Sequence, residues 1–155
     1  MKIFYTHPDI PSKVAFLNTT LSINQLLEIG VLTSSSKYLI DPEQKELMVH
    51  RLSCVKFDNT DNPTALVFDV DAIQQVYINE VRILRDPILT TLDYLQQRAI
   101  ATGKTEAAAL IEADKEVLRN LTDTIDFSNI TEIIHIYTRR PPELLVDYKD
   151  KYSYV

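Results

Sequence analysis

The hydrophobic period of this chain changes at Asp71, and that change most constrains its fold. From there to Leu121, apolar residues recur at steps of three and four, the signature of amphipathic helix. Ile73, Val76, Tyr77, Val81, Leu84, Ile88, Leu92, Leu95 and Ala99 form one stripe at those steps, apart from the adjacent Val76 and Tyr77, and Ala107, Leu110, Ile111, Val117, Leu118 and Leu121 form a second. Between them lies Ala101-Thr102-Gly103-Lys104, with Gly103 placed to close one helix and Thr105 to cap the next. So short a break makes the two helices antiparallel neighbours, a helical hairpin. Asp71, with Gln74 three residues on, reads as N-cap and capping box of the first helix. Pro87 interrupts that helix, but the apolar register carries across it. One long kinked helix is therefore favoured over two abutting ones.

Ahead of the hairpin the pattern is that of short strands. Met1 to Pro11, with Pro8 and Pro11, reads as an extended arm with a turn. Strands are expected at Lys13–Leu17, Lys37–Ile40 and Ala65–Phe68, and an irregular strand over Glu46–Phe57. A short helix is expected from Ser22, with Gln25 completing a capping box and Gly30 ending it. Asp58-Asn59-Thr60-Asp61-Asn62-Pro63 is the clearest loop. The fold class is α+β: a small β-rich N-terminal half with a short helix (residues 1–69), a long kinked helical hairpin (70–122) and an extended C-terminal tail (123–155). The last part of the tail carries Tyr148, Tyr152 and Tyr154, which offer large contact area at little entropic cost, for docking on a partner or on their own domain.

Composition removes several classes of function. Only two glycines occur, Gly30 and Gly103, so glycine-rich phosphate loops are absent. A net charge of −6 and a lone basic pair, Arg139-Arg140, argue against nucleic acid as partner. Cys54 is the single cysteine, which rules out an internal disulfide and a thiolate zinc site. It reads as a half-buried strand residue, although an intermolecular disulfide stays open at this level. No run reaches the roughly 18 to 20 apolar residues of a membrane span, and the first residues lack a signal-peptide core. The expectation is a protein made in the cytoplasm with no membrane partner.

No catalytic constellation stands out. His7, His50 and His135 are far apart in sequence and form no paired motif. Asp69, Asp71 and Glu80 match some positions of a calcium loop, but Ile73 and Gln74 stand where an oxygen ligand and a glycine are needed. Glu112, Lys115 and Glu116 read as a solvated helix face with ordinary charge pairing. No metal, cofactor or catalytic residue is assigned, and an enzyme would need a deep polar cleft where histidine and carboxylate converge.

From Asp71 to Thr124 the chain resembles small bacteriophage tail-fibre assembly proteins, also described as tail assembly chaperone-like. The resemblance is carried by Arg82 and Arg85 in Val81-Arg82-Ile83-Leu84-Arg85-Asp86-Pro87, by Leu89, Leu92-Asp93 and Gln97-Arg98-Ala99, then after Gly103 by Ile111-Glu112-Ala113-Asp114-Lys115 and Leu118-Arg119-Asn120-Leu121-Thr122. The family frequently has Asp where this chain has Asn120. A weaker similarity covers Val31 to Ile40. The resemblance implies a non-enzymatic binding protein whose partner is a tail-fibre or baseplate protein, acting in the host cytoplasm during assembly. The alternative is a stoichiometric baseplate or fibre-attachment subunit retained in the virion tail, and homo-oligomers are compatible with either role. Arg82, Arg85, Asp93, Arg98, Lys115 and Arg119 on the hairpin, with Tyr148, Tyr152 and Tyr154 in the tail, are the partner-binding candidates.

Overall fold

The computed structural model describes all residues, Met1–Val155. The fold is α+β, with short N-terminal strands followed by a long helix and several smaller ones. Its contacts group into two compact units, 1–73 with 131–134, and 74–130 with 135–155.

The first unit contains two small antiparallel sheets. β1 (Lys2–Thr6), β2 (Val14–Asn18) and β3 (Tyr38–Ile40) form one, in the order β2-β1-β3. The N-terminal segment is therefore a central strand and not an arm. Ile3 and Phe4, which point to opposite faces, are both fully buried, as a strand paired on both edges and covered on both faces requires. Phe4 sits opposite Phe16 with ring centroids 4.8 Å apart. On the other face, Ile3 packs with Leu26 and Leu32.

Leu26 belongs to α1 (Ile23–Glu28), whose ends are built as the residue types require. The Ser22 hydroxyl accepts from the Gln25 amide and the Gln25 side chain accepts from the Ser22 amide. At the other end Gly30 adopts φ 75°, Val31 N–H donates to Leu26 C=O, and Gly30 N–H donates to Leu27 C=O. This is a Schellman closure, with Val31 also packed against the apolar cluster that holds Leu26.

The second sheet pairs β4 (Val55–Phe57) with β5 (Leu66–Phe68). The strand expected over Glu46–Phe57 is thus confined to its last three residues. Leu47 turns to φ 66°, the chain winds through residues 45–51, and Leu52–Cys54 form a 3-10 turn. The winding buries Met48, which an extended Glu46–Phe57 strand does not single out as core. The loop between β4 and β5 closes around Asp58, whose carboxylate accepts from the amides of Asn59, Thr64 and Ala65 and from the Thr64 hydroxyl. These bonds, the Thr64 hydroxyl first, hold the Asp58 carboxyl well below the usual carboxylate range.

The long helix α2 spans Val70–Ala101, 32 residues, and runs unbroken through Pro87. The single-helix expectation holds against the split one. Pro87 removes the amide that would serve the Ile83 carbonyl, but both residues lie on the exposed side, where water can substitute. The cap is Asp69 and not Asp71: its carboxylate accepts from the Ala72 amide and its carbonyl from the Ile73 amide. Asp71 lies inside the first turn, where its charge still complements the helix dipole. Gln74 completes no capping box; its side-chain amide donates to the Phe127 and Ile130 carbonyls.

Gly103, at φ 72°, closes α2 with a second Schellman motif: Lys104 N–H to Ala99 C=O at 2.8 Å and Gly103 N–H to Ile100 C=O at 3.1 Å. α3 (Thr105–Arg119) then starts with Thr105 as its first helical residue, and Lys104 holds the cap position without a side-chain capping bond. The buried stripe of α3 is Ala107, Ile111, Lys115 and Leu118. Leu110 and Val117, expected inside, are more than half exposed, because a stripe spaced at four, four and three leaves room for only one residue per turn.

The C-terminal region is not extended. After α4 (Leu121–Thr124) it winds through a 3-10 turn at Phe127–Asn129, α5 (Ile133–Thr138), a 3-10 turn at Pro142–Leu145 and α6 (Tyr148–Lys151). No helix is long and apolar enough to cross a membrane.

An added Cβ would touch nothing at either glycine, so only backbone strain opposes it. Gly103→Ala and Gly30→Ala are each expected to cost about 1–2 kcal/mol, the left-handed penalty of an L-residue. Chemical denaturation of the two variants measures it.

Candidate interaction site

The turn at Gly103 sets the register of α2 against α3. Asp93 faces Lys115 and Gln96 faces Glu112, both pairs centred on Lys104. The Lys115 ammonium lies 2.6 Å from Asp93 Oδ1, 2.8 Å from Gln96 Oε1 and 3.2 Å from Glu112 Oε2. Gln96 Nε2 donates to Glu112 Oε2 at 2.8 Å, so Lys115, Gln96 and Glu112 close a ring across the hairpin, with Asp93 attached to it through Lys115. Arg119 extends it, donating to Glu112 Oε1 at 2.7 Å, and Arg85 reaches the Arg119 carbonyl at 3.5 Å.

Lys115 is the most buried charged residue, with only 6% of its surface exposed, and not part of a solvated face as its spacing suggested. Its methylenes take the place of an apolar residue in the α3 stripe while the ammonium reaches the acids. Its hydrogen bond to Asp93 raises its pKa, outweighing the desolvation that would lower it. Lys115 therefore stays protonated, suited to hold two helices together and unsuited to act as base or nucleophile. On the other side of the ring, Arg119 first, then Gln96 and Lys115, pull the Glu112 pKa from its ordinary 4.5 down to about 2.

The tyrosines of the tail dock on this same unit. Tyr148 and Tyr152 are buried, Tyr152 to 2% exposure, and Val155 is buried with them. The Tyr152 hydroxyl donates to Asp114 Oδ2 at 2.5 Å, and the Lys151 ammonium meets the same oxygen at 2.6 Å. Lys151 also lies over the rings of Tyr148 and Tyr152. The Tyr148 hydroxyl donates to the Glu143 carbonyl at 3.1 Å. Burial first, and then the bond to Asp114, push the Tyr152 hydroxyl well above the usual tyrosine range. Tyr154 is exposed at its ring, and its carbonyl accepts from the Lys104 ammonium.

Of the nine partner-binding candidates, Lys115, Tyr148 and Tyr152 are thus used inside the chain and present no free surface. Asp93, Arg85 and Arg119 are tied into the ring or its edge, Arg85 also pairing with Asp86 at 3.0 Å. Arg82, Arg98 and the ring of Tyr154 remain on the surface. Sequence reasoning missed Gln96, Glu112 and Asp114 as organising residues. The available signal was the spacing of Asp93 with Gln96 and Glu112 with Lys115, each three apart and equally distant from the turn.

Other reactive groups have local structural roles. Cys54 is fully buried, and desolvation raises its thiol pKa, so it is neither a ready nucleophile nor placed for an intermolecular disulfide. His7 Nδ1 accepts from the Asp9 and Ile10 amides and so shapes the turn after β1. A cleft of about 390 Å³ next to Tyr77 is bordered by Arg139, Arg140, Asp126 and Glu143. No three His, Cys, Asp or Glu side chains converge as metal donors. No family model matches the chain, and no curated protein or solved structure shows significant similarity to it.

Glu112 is expected to make stability depend on acid. Its folded pKa lies below its ordinary value, so its contribution is complete above about pH 4.5 and is lost as pH falls toward 2. Urea midpoints from pH 6 to 3 should fall less steeply for Glu112→Gln than for the unaltered chain. Lys115→Ala should cost about 1–2 kcal/mol at neutral pH, through lost stem packing and a lost cation whose acidic partners are themselves half exposed and can rehydrate. The same denaturation assay measures it, and Lys115→Met should lose less because it restores the stem.

Proposed function

We propose that this protein is a bacteriophage tail-fibre assembly chaperone, a non-enzymatic protein that binds the fibre polypeptide until the fibre trimerises. The observation that carries this reading is the outer surface of the hairpin, the segment in which the resemblance lies. Ile83 and Tyr94, eleven residues and three turns apart on one face of α2, are 64% and 63% exposed. Leu110 and Val117, two turns apart on α3, are 57% and 52% exposed. Beside the α2 pair run Arg82, Asp86, Asp93 and Arg98, charges of both signs. Exposed apolar residues set among charges of both signs suit contact with another polypeptide. A growing fibre exposes apolar surface and unpaired strand edges before its subunits meet, and covering them suppresses aggregation.

Co-expression with the fibre gene tests the proposal. Soluble, trimeric fibre is expected to depend on this chain. Ile83→Glu and Tyr94→Glu should each lower that yield severalfold while leaving the circular dichroism of the chain unchanged, since both side chains are already in water. Fibre solubility and trimer yield that stay the same without this chain would refute the chaperone role. Several copies per purified virion, found by mass spectrometry, would instead favour the structural baseplate or fibre-attachment role.

A further inference from the structure

The segment Pro142–Val155 makes a terminal strap across the hairpin, seated by three buried side chains and by bonds with Asp114 and Lys104. Its first part, Leu145–Lys149, borders an open cavity together with Ile88 and Thr91 of α2. Tyr152 and Lys151 then reach Asp114 on α3, and Tyr154 ends at the turn, beside Gly103–Ala107. The buried residues Tyr148, Tyr152 and Val155 recur at steps of four and three, along one side of α6 and the turns that follow it. Of the three, only Tyr148 lies in α6, which has four residues; Tyr152 is its C-cap and Val155 follows in the turns after it. A single turn does not persist alone in water, so the strap holds its shape only while seated. It is joined to the rest of the unit through Arg139-Arg140-Pro141-Pro142, where the two prolines supply no backbone donor, Pro141 is buried and the Arg139 side chain donates to the Asn129 carbonyl.

We propose that this groove is a peptide-binding site held closed by the chain's own strap, and that a partner polypeptide opens it by presenting a segment of the same kind. The geometry specifies that segment: a short amphipathic turn of helix with aromatic residues at positions one and five, an apolar residue at eight, and a hydroxyl and a cation directed at Asp114. The seated strap is the model for the occupant, as in other helix-in-groove complexes. A tethered ligand competes at an effective concentration of order millimolar. A foreign segment must therefore bind well enough to beat it, or arrive while the strap is lifted, and its apparent affinity is reduced by the fraction of time the groove is shut. The outer apolar residues Ile83 and Tyr94 and this inner groove are separate surfaces of one hairpin. Only the source of the segment, a fibre polypeptide, rests on the function proposed above.

The test uses full-length chains and a fluorescein-labelled peptide of residues 142–155, followed by fluorescence anisotropy. Tyr152→Ala loosens the strap and leaves the groove intact, so the peptide should bind this variant at least about tenfold more tightly than the unaltered chain. Adding Asp114→Ala should reverse the gain, and a peptide with both Tyr148 and Tyr152 replaced by alanine should not bind. Hydrogen exchange of the unaltered chain should show amides 148–155 opening faster than those of α3. Equal peptide binding to both chains, or none to a folded Tyr152→Ala chain, would overturn the proposal. Where Tyr152→Ala does not fold, exchange decides: strap amides as slow as those of α3 would make the strap part of the core and end the proposal. A dimer with exchanged straps would assign the groove to a second copy and not to a foreign segment. Peptide binding without any effect on fibre yield would keep the groove and remove the fibre, and the converse would remove only the groove.

Discussion

The reversal at Gly103 is the constraint on which the helical unit depends. One residue in the left-handed region, with two backbone bonds to Ala99 and Ile100, fixes where α2 stops and how α3 departs. Everything across the hairpin follows from that register. Asp93 meets Lys115, and Gln96 meets Glu112, because each pair is equally far from the turn. Shifting the turn by one residue would rotate α3 by about 100° relative to its partner and carry Lys115 out of the ring. The polar ring then works as a register mark, since Lys115 is buried and has acceptors in only one alignment. Leu92, Leu95, Ala107, Ile111 and Leu118 supply apolar burial, which is less particular about alignment.

A helical hairpin buries one face of each helix against its neighbour and leaves a groove along the seam. This chain fills the groove with its own C-terminal residues. The strap contributes aromatic area where the hairpin lacks it, since α3 brings mostly Ala, Ile and Leu to the seam. Asp114 is the single carboxylate that receives both the Tyr152 hydroxyl and the Lys151 ammonium, which concentrates the polar part of the attachment at one point.

Much of the architecture could be read from residue types with strong local preferences. Ser22 and Gln25 mark a helix start, Gly30 and Gly103 mark helix ends, and Asp58 to Pro63 marks a loop, because in each the side chain or its absence acts on the adjacent backbone. Where two residues could do the same job, reading failed by a position or two: Asp69 caps α2 although Asp71 is equally suited, and Thr105 lost its capping role to the backbone of Lys104. Patterns set by distant partners were not legible. Glu46–Phe57 has the apolar content of a strand but no neighbour to pair with over most of its length. Leu110 and Val117 match a helical stripe, yet the seam admits only Ala107, Ile111, Lys115 and Leu118. Lys115 itself carries no sign of burial until its two acids and Gln96 are brought together by the turn. The tail was the least legible part, since Tyr148, Tyr152 and Val155 show their common side only once α6 and the turns after it are wound.

The order in which the chain is made gives the strap a temporal meaning. The contacts between α2 and α3 are local in sequence and close over a four-residue turn, so the hairpin forms within microseconds to milliseconds of becoming available. Synthesis proceeds at roughly 5 to 20 residues per second, and the strap follows α3 by more than twenty residues. At that rate the hairpin precedes its strap by about a second or more on each nascent molecule, and the proposed groove is open for that time. On the proposed chaperone role, a client would meet the hairpin during that interval, before the tether has begun to compete.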